Sequence, residues 1–94
     1  MKYRHTFRKD SQRSKGYYEN LCKEFSIAFA EFLKEERGIE VAAFDYVKQD
    51  IRGVPSICAF DSRHCVSYQR HFADIKEMRE FMEGFLVAKG IRHA

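Results

Sequence analysis

The chain of 94 residues is long enough for one domain and one modest core, burying roughly 60–65% of its unfolded surface. Its 45% apolar and 33% charged content excludes a disordered polymer, and the lack of any apolar run near about 18 residues excludes a membrane-spanning helix. The net charge of +3 is a mild lean, but it is unevenly placed.

Residues 1–15 carry Lys2, Arg4, Arg8, Lys9, Arg13 and Lys15 against the single acid Asp10. This basic arm has no helical period. It reads either as a flexible tail or as a short edge strand in which Tyr3, His5 and Phe7 alternate with Lys2, Arg4 and Thr6. Residues 16–94 read as a single α+β domain. The arm's start lacks the apolar stretch of a secretory signal.

Gly16 to Arg37 is predicted to be the first helix, because Tyr18, Leu21, Phe25, Ala28, Phe29 and Phe32 recur at steps of three and four. Gly38 ends it in the left-handed conformation, with Lys34 and Arg37 favourably placed in the last turn. Ile39 to Lys48 alternates as a strand. Asp50-Ile51-Arg52-Gly53 is a hairpin turn, Val54 to Phe60 the next strand, Asp61 to His64 a second turn and Cys65 to Phe72 the third strand. The second helix runs from about Asp74 to Lys89, with Asp74 as its cap and a stripe of Ile75, Met78, Phe81, Met82, Phe85 and Leu86; Gly90 stops it. Gly84 lies within that helix, where close packing against a neighbour is the expected reason for a glycine.

The fold class is therefore α+β, in the order α-β-β-β-α: a three-stranded antiparallel sheet packed with two amphipathic helices. Pairing through the turns sets Phe44 and Tyr46 beside Ile57 and Ala59, and these beside Val66 and Tyr68, as one apolar face for the helices. The opposite face carries Val41, Ala43, Val47, Cys58, Phe60 and Cys65 among polar neighbours. It is too apolar for plain solvent. It could be covered by the arm, by a helix, by a second subunit or by a partner. Double-stranded RNA-binding domains share this element order, but their lysine-rich start to the second helix is missing: here that helix opens Ala73-Asp74-Ile75-Lys76-Glu77. Order alone implies no such function.

No catalytic residues stand out. Cys58, His64 and Cys65 lack a fourth ligand for zinc, and adjacent His64 and Cys65 would point to opposite strand faces, which is wrong for a nucleophile and its base. The glycines form no phosphate loop. Glu35–Glu36 and Glu80–Glu83 read as solvated helix flanks. Three cysteines at irregular spacing form no disulfide framework and read as reduced thiols of a cytoplasmic protein. No cofactor or metal is implied.

What is left is binding. The expected function is a small non-enzymatic module that modulates or inhibits a larger machine, of the kind phages and mobile elements encode. Its partner would be another protein, with a nucleic-acid-handling complex one such target, and its partner or dimer face would be Val41, Ala43, Val47, Cys58, Phe60 and Cys65. The alternative is nucleic-acid binding through Lys2, Tyr3, Arg4, Arg8, Lys9, Arg13 and Lys15 of the arm, aided by a cluster of Arg52, Arg63, His64 and Arg70 at the hairpin ends. A homodimer is compatible with either role.

Overall fold

A computed structural model describes residues 2–7, 13–47 and 53–93. The elements in chain order are β1 (Lys2–His5), α1 (Lys15–Arg37), β2 (Ala43–Tyr46), β3 (Ser56–Phe60), β4 (Val66–His71) and α2 (Ile75–Ala88). The sheet has four strands in the order β1-β2-β3-β4, where the sequence pattern predicts three. The added strand comes from the arm. β1 runs parallel to β2, with Lys2 opposite Ala43 and His5 opposite Tyr46, so the sheet is mixed and not purely antiparallel. A parallel neighbour needs a long crossover, and α1 supplies it.

Local chemistry explains both helices. The Ser14 side chain accepts a hydrogen bond from the Tyr17 amide at 3.1 Å and caps α1. Gly38 closes it at φ 65, returning its N–H to the last turn; only glycine takes that conformation without cost. Asp74 caps α2 by accepting from the Glu77 amide at 2.8 Å, while the Glu77 carboxylate accepts from the Ala73 amide at 2.9 Å. This reciprocal pair satisfies two backbone donors that the helix cannot. Gly84 is exposed, and a Cβ built there would meet nothing within 4 Å, so close packing is not its explanation.

Both helices lie on one side of the sheet. Phe25 and Phe29 of α1 stack at 4.7 Å between ring centres. Phe29 meets Phe85 of α2 edge-on at 5.1 Å and Tyr68 of β4 at 5.3 Å. Rings in these tilted arrangements add about 0.5–1.5 kcal/mol per pair beyond their buried area. The Tyr46 hydroxyl is buried in this layer and shares a 2.6 Å hydrogen bond with Ser26. Burial pushes the Tyr46 phenol well above its ordinary range. The expected pairing of Phe44 with Ala59 and Tyr46 with Ile57 is present. Val66 departs from its expected place. A shift between Ala59 and Phe60 pairs Tyr68 with Ala59 but Val66 with Phe60, and Val66 is 54% exposed.

Candidate binding face

The sheet side away from the helices is built in two cross-strand rows. One reads Lys2, Ala43, Phe60, Val66 and the other Arg4, Asp45, Cys58, Gln69. Strand alternation puts both rows on the same side, with the register shift beside Phe60 bringing Val66 into its row, and small or apolar groups fill their middle. Asp45 would be a buried charge at the centre of the sheet, with 8% of its side chain exposed. Arg4 meets it from the neighbouring strand at 2.6 Å while keeping 77% of its own side chain in water. The carboxylate in turn holds the Arg4 guanidinium above its usual range, chiefly through that hydrogen bond. The ion pair thus anchors β1 and leaves most of a guanidinium facing out. On the other side of β1, Tyr3 packs against the core. Phe7 just beyond is buried and stacked on Tyr18 at 4.3 Å.

A concavity of about 340 Å³ opens on this face. Lys2, Arg4, Ala43, Asp45, Phe60 and His64 all line it. His64 comes from the turn joining β3 and β4, which is held from within. Asp61 Oδ1 accepts from the amides of Arg63 at 2.8 Å and Cys65 at 3.0 Å. Glu40 Oε1 accepts from the Ser62 amide at 2.9 Å, and those bonds hold the Glu40 carboxyl below its usual range. His64 itself sits at φ 64, a conformation uncommon for residues with a Cβ but one that histidine takes more readily than most. A turn so tied presents Arg63 and His64 in fixed positions.

The candidate residues therefore separate. Lys2, Arg4, Ala43 and Phe60 come together at the concavity, while Arg63, next to His64 in the turn, lines a separate hollow with Glu40, Asp61 and Ser67. Tyr3 lines the concavity too, though it belongs mainly to the core layer. Arg13 lies on the helix side, 5.2 Å from the Tyr17 ring centre and 3.9 Å from Glu83. Lys15 is exposed at the start of α1. Arg70 lies over Phe81 at 4.4 Å and Phe72 at 5.5 Å, so it supports the helix layer. Val41 and Val47 pack against the helix-side core, not the open face. Val47 has φ 65, which ends the strand alternation that would have turned it outward. Cys58 is on the open face yet only 1% exposed, and Cys65 lies in the exposed turn. Arg8, Lys9 and Arg52 lie outside the described residues.

Sequence reasoning missed Asp45 as the anchor of β1; it placed His64 in a cationic cluster at the hairpin ends, and the structure sets it at the concavity beside β1 instead. An aspartate alternating with Phe44 and Tyr46 was the available signal, because a mid-strand acid needs a cation beside it. A second polar cluster joins the chain ends of the helix layer. Arg92 forms a two-pronged pair with Glu24 at 2.9 and 3.0 Å and donates to the Tyr17 hydroxyl at 3.0 Å. That hydroxyl also bonds Glu83. The Arg92 pair holds the Glu24 carboxyl below its ordinary 4.5.

Among the described residues no helix is long and apolar enough to cross a membrane. No family model, curated protein or solved structure matches the chain.

Proposed function

We propose that this chain is a small non-enzymatic binding module that modulates or inhibits a larger protein, and that it does so through the helix-free face of its sheet. The observation that carries this reading is the concavity in which Phe60 and Ala43 sit among Lys2, Arg4 and His64. A mixed apolar and cationic patch on a rigid sheet suits protein recognition, where a few apolar anchors are ringed by polar groups. The arm favours a protein over nucleic acid. Its described cations do not form one stripe, since Lys2 and Arg4 go to the sheet and Arg13 to the helix side.

A photo-crosslinking residue at position 60 is expected to capture one protein in the cell that makes this chain. The same residue in place of the exposed Ile27 of α1 is expected to capture none. Capture from position 27 alone would reject the reading. Nucleic acid is the second reading, favoured by the cations at the concavity. It predicts retention on duplex or single strand at low salt that falls steeply as salt rises.

A further inference from the structure

The charges around the concavity narrow the kind of surface it takes; this inference rests on the protein-contact reading above. Among the described residues three carboxylates lie near the face, and each is already engaged. Asp45 is bonded to Arg4 at 2.6 Å. Asp61 accepts from the amides of Arg63 and Cys65. Glu40 accepts from the amide of Ser62. The cations are not matched in the same way. Among the described residues Lys2 makes no ion pair, and Arg63 makes none at contact distance, although its charge helps to lower the Glu40 carboxyl from further off. Arg4 uses one nitrogen on Asp45 and keeps further donors for another acceptor, since a guanidinium carries five.

We propose that the concavity between β1 and the β3–β4 turn receives an acidic segment of a partner protein. Its carboxylates meet Lys2, Arg4 and Arg63, and an apolar side chain between them covers Phe60 and Ala43. Charge complementarity selects the occupant: exposed positive charge around an apolar strip steers and orients an acidic partner and repels a basic one. A phosphate backbone fits less well. A nucleic-acid strand needs a continuous cationic track with stacking rings along it. Here Phe60 is the half-exposed ring among the cations, Phe44 is buried and Tyr3 packs on the core, and Arg13 has left the track for Glu83.

The test uses the whole chain and a labelled peptide of alternating glutamate and leucine, followed by fluorescence anisotropy. Its lysine-for-glutamate counterpart and a thymidine oligonucleotide serve as rival probes. The acidic peptide is expected to bind, more weakly as salt rises. Lys2→Glu combined with Arg63→Glu should weaken it by roughly tenfold, while Lys23→Glu on exposed α1 surface leaves it unchanged. If the double variant does not fold, Arg63→Glu alone carries the test, because that side chain stands in an exposed turn. No binding of the acidic peptide overturns the proposal, as does equal loss through Lys23→Glu or preference for the oligonucleotide. Loss through Phe60→Gln without loss through the charge reversals keeps the face as a contact surface but overturns its acidic specificity. Failure of the protein-contact reading itself would show separately, as crosslinking that bypasses position 60.

Discussion

The two sides of the sheet use the same strands for opposite ends. The helix side is aromatic and closed, and its buried hydroxyls Ser26 and Tyr46 bond each other. The open side is made of small groups, half-buried Phe60 and a buried aspartate whose partner Arg4 remains mostly in water. One side derives stability from packed rings; the other accepts a weakly covered surface held in a fixed shape. Substitutions on the two sides should therefore separate stability from binding.

The largest effect is expected at Phe29, which touches rings on both helices and the sheet. Phe29→Ala should cost about 3–5 kcal/mol, read as a shift in the denaturant midpoint. Phe60→Gln on the open side should cost far less, and equal losses would mean that the open face is core. Next is the buried hydroxyl pair. Ser26→Ala leaves the Tyr46 hydroxyl without its partner and should cost about 1–3 kcal/mol in the same measurement. The third is a gain: Gly84→Ala on the exposed side of α2 should stabilise by about 0.5–1 kcal/mol, read as a higher Tm with acidic-peptide binding unchanged.

The smallest effect is the acid limb. The Glu24 carboxyl is lowered in the folded state by Arg92, so its contribution is present above the unfolded value and lost as pH falls below about 4.5 through the folded one. Both groups are partly in water, which keeps the term under about 1 kcal/mol. Glu24→Gln should destabilise by that amount at neutral pH and converge on the parent chain in strong acid. Parallel stability curves across that range would remove the pair from the account.

Much of the fold was legible. The helix stripes and the β2–β3–β4 meander follow from local periodicity, and the Phe44–Ala59 and Tyr46–Ile57 registers follow from counting through the turns. β1 was less legible because its partner is remote: no local pattern marks a four-residue parallel pairing whose ion pair spans 41 positions. The irregularity beside Phe60 and the left-handed Val47 also lie beyond alternation rules, and they move Val66 and Val47 to unexpected sides; Val41 lies before β2 begins, where alternation does not apply. Of the candidate site, Lys2, Arg4, Ala43, Phe60 and Arg63 were named in advance. What composition could not provide was their separation from Arg13 and Arg70, which depends on where rings and Glu83 lie in space.

The remoteness of β1 from its partner strand has a consequence for assembly. Strands β2 to β4 find each other through short turns, whereas β1 must close a chain loop that contains all of α1 before its ladder returns any energy. Tyr3→Ala and Phe7→Ala should therefore speed unfolding with little effect on the refolding rate, as stopped-flow chevrons would show. Lys2 and Arg4 reach the concavity only when that strand is in place. An anionic partner that grips them would draw the edge strand's opening equilibrium toward the closed sheet, so occupancy would be recorded as slower amide exchange along Lys2–His5.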